Sequence, residues 1–232
     1  MKIVKPDVRL LANTAVDWSQ FENFMEGDEH ATDAESLIEF AGRNCYLSWD
    51  KPNPKTRRNK DYLERTVFEQ AHGSIAEHAT ATLYFTGVSR AFTHELIRHR
   101  HLSYSQLSQR FVDESTAHLV LPPAIRDNVE LSLSAVDIAI RSIQVYRDLV
   151  EKIMNEGATR KQAREAARTV LPNGIETRIV VSGNMRAWIE VINRRTAPDA
   201  DAEMIEVMSL AREQLMTVAP TLFDNRKEES ND

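Results

Sequence analysis

The sequence predicts an α+β fold, with helices packed on a mainly antiparallel sheet in a single domain over residues 1–223. Three observations carry this expectation. Segments with apolar residues at every second position, the mark of a half-buried strand, are mixed with segments spaced by three or four, the mark of an amphipathic helix. The two kinds follow no steady strand–helix–strand rhythm, which argues against a doubly wound parallel sheet. Finally, the 7 glycines form no phosphate-cradling loop.

Residues 8–12 read as the first strand. Residues 34–46 read as a helix, because Leu37, Ala41 and Cys45 step by four along one face. That face marks Cys45 as a buried structural thiol. Residues 48–60 form a proline-containing basic loop, and 62–72 a second helix ended by Gly73. In 78–88, Ala79, Ala81, Leu83 and Phe85 alternate as in a strand. Ser89 can cap a helix over 90–99. A short strand at 118–121 precedes Pro122-Pro123, and 129–156 is a long helix. Thr159 can cap another helix, which stops at Pro172. A strand at 176–182 and helices at 184–195 and 201–219 complete the domain, and 224–232 read as a flexible polar tail.

Composition narrows the function classes. A net charge of -6 argues against broad nucleic-acid or membrane binding. No apolar run approaches the roughly 20 residues of a membrane-spanning helix, and the N-terminus lacks the apolar core of a signal peptide. Cys45 is the only cysteine, so an internal disulfide is impossible and a cysteine-based metal site is not expected. The cytoplasm is the expected compartment. Of 29 basic residues 21 are arginine, the better residue for two-pronged grips on phosphate and carboxylate.

Chemistry concentrates in residues 98–110, which hold three arginines, two histidines, three serines and two glutamines. The preceding helix has an apolar side (Val88, Phe92, Leu96) and a polar one (Arg90, His94, Arg98), each stepping by four. A polar stripe is ordinarily a solvated face, but this one runs directly into Arg98-His99-Arg100. Glu95, three residues before Arg98, can orient its guanidinium. Beyond it, Gln106, Ser108 and Arg110 alternate with Leu107, Gln109 and Phe111, so an extended backbone would aim an amide, a hydroxyl and a guanidinium one way. Further patches are His72-Gly73-Ser74-Ile75-Ala76-Glu77-His78; Arg160, Arg164 and Arg168 before Val170-Leu171-Pro172; and Asn184-Met185-Arg186 through Arg194-Arg195. None has the spacing of a zinc motif, and no spacing marks a nucleophile triad around Ser108.

Arg98-His99-Arg100 followed by seven residues and Ser108, with Arg110 two further on, resembles the signature of the flavin-dependent thymidylate synthases. The resemblance extends over about residues 37–203 in four motifs. It implies reductive methylation of dUMP to dTMP, with methylenetetrahydrofolate as carbon donor, FAD as hydride carrier and NADPH as reductant. It implies that FAD meets Ser74, Arg98, His99, Arg100, Gln106, Asn184, Arg186 and the position of Glu190, with His72 nearby. It implies that dUMP meets Glu95, Arg98, Gln106, Leu107, Ser108, Gln109, Arg110, Arg168 and Arg195, Glu165 steadying Arg168. Arg195, at the uracil edge, takes the catalytic role by stabilising negative charge developing on the ring. A homotetramer with sites at subunit interfaces is implied as well. Two departures add negative charge: Glu190 replaces the His or Asn common in relatives, and Asp199-Ala200-Asp201 replaces a His followed by Ala-Gln. Cys45 is a second nucleophile candidate, by analogy with the folate-only thymidylate synthases. The alternative from another class is a non-catalytic nucleotide- or RNA-binding module that uses the same segment for phosphates.

Overall fold

The computed structural model describes residues 1–224. In chain order the elements are β1 (Ile3–Val4), β2 (Asp7–Asn13), α1 (Trp18–Phe21), α2 (Asp33–Asn44), α3 (Asn59–Leu63), β3 (Thr80–Ser89), α4 (Arg90–Leu96), β4 (Ser103–Gln106), β5 (Leu119–Val120), α5 (Pro123–Arg126), α6 (Val129–Asn155), α7 (Arg160–Ala167), β6 (Glu176–Asn184), α8 (Met185–Arg195), α9 (Ala202–Met216) and α10 (Pro220–Phe223). A four-stranded antiparallel sheet in the order β2-β3-β6-β4 forms the centre, and β1 pairs with β5 in a small parallel ribbon. The predicted α+β class holds. The expected tail at 224–232 lies outside the described residues except for Asp224.

Period-two alternation in β3 and β6 makes the sheet one-sided. Ala81, Leu83 and Phe85 of β3 and Ile179 and Val181 of β6 are buried on one face. On the other, Thr82 and Ser182 share a hydroxyl hydrogen bond of 2.8 Å. Trp188 and Ile192 of α8, Met208 and Ala211 of α9, and Leu96 of α4 pack in the same core. Gly87 sits at the irregularity in the β3–β6 register with φ of 63°, and a Cβ there would overlap the Lys5 carbonyl.

Two strands pass into helices without a loop. Ser89 ends β3 and its hydroxyl accepts from the Phe92 N–H at 3.0 Å; Asn184 ends β6 and its amide oxygen accepts from the Ala187 N–H at 2.9 Å. Because β3 and β6 are antiparallel, α4 and α8 start from opposite ends of the sheet and meet at their C-termini. That crossing positions the site described below.

Four local expectations are corrected. The helix expected over 62–72 is α3 followed by a wide π-turn, Glu64–Glu69, and Gly73 opens a 3-10 turn, Gly73–Glu77, instead of ending a helix. The helix expected over 90–99 ends at Leu96. The extended run expected through Arg110 stops at Gln106, because the Ser108 carbonyl accepts from the N–H groups of Phe111 and Val112 and turns the chain. The inward face of α2 is Ala34 and Ile38, so Cys45, at its C-terminal cap, is exposed instead of buried.

Candidate active site

The expected site residues fall into three groups on different elements. The first forms where α4 and α8 end together. Arg195, the last residue of α8, donates from Nε to His99 Nε2 at 2.8 Å, and from Nη2 to the Glu95 carbonyl at 3.4 Å; its Nη1 lies 3.3 Å from the Glu95 carboxylate. A cation here complements the partial negative charge of two helix C-termini. Glu95 therefore orients Arg195, not Arg98 as expected; only the Arg98 backbone N–H reaches the Glu95 carbonyl, at 3.4 Å. Arg98 and Arg100 are exposed. Burial, then the positive charges of Arg195 and Arg194, hold the His99 pKa below the ordinary histidine value, against an opposing pull from Glu190 and Glu95.

The second group surrounds the turn after β4. The Leu107 N–H donates to the Arg178 carbonyl at 2.9 Å, extending the ladder one residue beyond the strand. The Ser108 hydroxyl accepts from the Arg110 N–H at 3.4 Å, a side-chain turn that explains why alternation here is not a strand. Arg110 donates from Nε to Glu165 at 2.9 Å, so Glu165 partners Arg110 and not Arg168 as expected. Arg164 clamps the turn from α7, donating to the Phe111 carbonyl at 2.6 Å and to Asp113 at 3.1 Å. Arg168 caps α7 and is exposed. The Gln106 amide donates to the hydroxyls of Thr93 at 3.0 Å and Thr177 at 3.3 Å. Gln109 is buried and its side chain interacts with the Glu114 carboxyl, so it turns into the chain instead of facing a ligand as expected.

Gly73 and Ser74 anchor the third group. A Cβ on Gly73 would contact Arg186 Nε at 3.5 Å, which places the Gly73–Glu77 turn beside the start of α8. Arg186 Nη1 is paired with Glu77, and both are about half exposed. Asn184 spends its oxygen on the helix cap and retains its NH2 group. Glu190 is exposed on the flank of α8, close enough to His99 to act on it electrostatically.

A cavity of about 390 Å³ joins parts of the first two groups, lined among others by Arg90, Thr93, His94, Glu95, Gln106 and Asn173, with Asp201 at its edge. Arg90 and His94 belong to the polar stripe legible in the sequence. Thr93 and Asn173 carried no signal, since they reach the cavity only through the packing of α4 on β4 and β6. A groove of about 800 Å³ beside Phe24, Trp49, Arg57 and Arg58 contains none of the expected site residues. The donor set suits a flavin dinucleotide: a pyrophosphate needs cationic and N–H donors, and Arg98, Arg100, Ser74 and the Asn184 amide offer them from exposed or half-exposed positions.

Fold and site define an α+β protein that presents arginines, serines and amides near the ends of two strand-capped helices. The family described as thymidylate synthase complementing protein matches residues 29–221. A flavin-dependent thymidylate synthase of Mycobacteroides abscessus is 47% identical over 238 residues, covering 96% of this chain and 90% of the relative. One from Corynebacterium aurimucosum is 44% identical, covering 97% and 92%. The crystal structure of thymidylate synthase X from Helicobacter pylori with FAD and dUMP superposes with a TM-score of 0.66 at 18% identity, covering 95% of this chain and 98% of that one. The chain belongs to the flavin-dependent thymidylate synthase family.

Proposed function

We propose that this protein converts dUMP to dTMP in the cytoplasm, taking the one-carbon unit from methylenetetrahydrofolate and reducing equivalents from NADPH. The single observation that supports this most is the fork of Arg195, held at fixed orientation by Glu95 and His99. FAD, when bound, supplies the hydride chemistry. The chain's own part is placement and electrostatics. Arg98, Arg100, Ser74, Asn184 and Arg186 hold the flavin dinucleotide through charge-assisted hydrogen bonds, with Gln106 and the flank at Glu190 beside it. The Gln106–Arg110 turn and Arg168 hold the dUMP phosphate and sugar. Arg195 faces the uracil edge with its planar fork and stabilises negative charge as the ring loses its N3 proton.

The same reading includes a homotetramer with shared sites. The long helix α6 supports it. Leu131, Ile138 and Val145 are exposed and repeat every seven residues on one flank; Leu133 and Ile140 do so on the other. Val129 and Leu133 are 77% and 66% exposed, an arrangement that a helix in a lone chain has no reason to keep. The expected dUMP ligands are also split between the first and second groups, an arrangement that suits a site completed by a second subunit. Testing is direct. The purified protein with FAD, dUMP, methylenetetrahydrofolate and NADPH is assayed for dTMP, with each component omitted in turn. Formation of dTMP only in the complete mixture is the expected result; none in the complete mixture would sink the proposal.

A further inference from the structure

The guanidinium of Arg195 is held from three sides by its own chain, and the shortest contact is with His99 at 2.8 Å. A ring nitrogen that accepts a hydrogen bond carries no proton, so this geometry puts the imidazole proton on Nδ1. Doubly protonated, the ring has only donors to offer and faces a guanidinium with like charge. We propose that His99 is a positioning residue: its neutral Nε2, by accepting from Arg195 Nε, sets the plane in which the remaining Arg195 donors meet the uracil edge. This rests on the reading that Arg195 meets uracil.

The surroundings support the role. The charged groups that act on His99 are Arg195, Arg194 and Glu190 from α8 and Glu95 from α4. Burial and the two arginines outweigh the two carboxylates and favour the neutral ring. The backbone that carries the ring is fixed independently: the Tyr104 hydroxyl donates to the carbonyls of His99 at 2.7 Å and Leu96 at 2.8 Å, sharing one proton between them. The ring is therefore delivered to Arg195 by β4, whose Tyr104 pairs with Val181 in the sheet. Acidification breaks the contact by taking away the acceptor, not by moving the backbone.

The test compares two variants as FAD-loaded holoenzymes. His99→Gln places an amide oxygen about where Nε2 stood and does not titrate; His99→Leu removes the acceptor. Both lose any flavin contact the ring makes, and an absorbance titration of FAD measures that shared loss separately. In the wild type, dTMP formation is expected to fall on the acid side through one ionisation below the ordinary histidine value. His99→Gln should lose that limb, and His99→Leu should be about tenfold slower than His99→Gln at every pH, the scale of one hydrogen bond. Stopped-flow flavin reduction should differ much less between the two. Equal rates for the variants, or an acid limb that persists in His99→Gln, overturn the proposal. A wild type that forms no dTMP condemns the activity reading instead. In that case crystal structures decide the positioning role: Arg195 keeps its plane in His99→Gln and leaves it in His99→Leu, and an unmoved Arg195 in His99→Leu overturns it.

Discussion

At the scale of single residues, Arg195 tests chemistry against binding. Lysine in its place keeps the charge but has no planar fork to span Glu95 and His99. If the fork serves mainly as the ring gains negative charge, its loss weighs on the transition state more than on the ground state. Arg195→Lys is expected to lower the rate of dTMP formation on the order of 10²-fold. Stopped-flow reduction of the flavin on the same preparation should suffer far less; an equal fall in both rates would mean Arg195 merely holds the flavin site together. Cys45 is the opposite case. It is exposed, its Sγ 3.5 Å from the Ala41 carbonyl, and none of the three groups includes it. Cys45→Ala should keep dTMP formation and shift stability by no more than about 0.5 kcal/mol. A thiol reagent should modify it in the native protein, and a native protein that resists labelling would contradict the exposure.

Among the elements, α4 shows how a buried acid supports a helix that carries site residues. Glu203 of α9 is buried and accepts from the Ser89 N–H at 2.8 Å and the Ser89 hydroxyl at 2.7 Å, while that hydroxyl caps α4. Ser89→Ala removes both the cap and one partner of a buried carboxyl, at a cost of about 1–3 kcal/mol in a denaturant melt. Burial raises the Glu203 pKa, and the Ser89 hydrogen bonds only partly oppose it. A folded-state value above the unfolded one contributes stability that is complete below the ordinary glutamate pKa and is lost as pH rises through the raised value. Relative to wild type, Glu203→Gln should therefore gain stability as the pH is raised from acid to neutral. The reverse slope in paired urea melts would show that the Ser89 donors dominate. The alternation of β3 and β6 and the capping roles of Ser89 and Thr159 were legible because they depend on neighbours in sequence, whereas Asn184, expected inside its helix, is the cap. The buried face of α2 was not. Glu39 and Arg43 are 1% and 2% exposed because Arg43 bonds Glu39 at 2.6 Å and the Thr56 carbonyl at 2.6 Å, tying down a loop that pattern alone cannot locate.

For the whole molecule, the prediction concerns α6. If its outer flanks are subunit contacts, Leu133→Asp with Ile140→Asp places charges in them without touching the chain's own core, which uses Ala139 and Ile143. Sedimentation should then show a smaller species with unchanged far-ultraviolet circular dichroism, and dTMP formation should fall together with the assembly. An intact oligomer, or a dissociated protein with full activity, would remove α6 from the interface.

The sequence by itself determined the α+β class, the strands β2, β3, β5 and β6, the caps at Ser89 and Thr159, and the family, because alternation, capping and the Arg98–Arg110 spacing are local properties of the chain; β1 and β4 were not legible in it. It also identified which arginines to consider. Only the tertiary structure decided their partners. Glu95 reaches Arg195 and not Arg98, and Glu165 reaches Arg110 and not Arg168, since antiparallel β3 and β6 bring the ends of α4 and α8 together and the turn at Ser108 swings Arg110 onto α7. Ion pairs across a hundred residues of sequence follow from packing geometry, and a one-dimensional pattern holds no record of it.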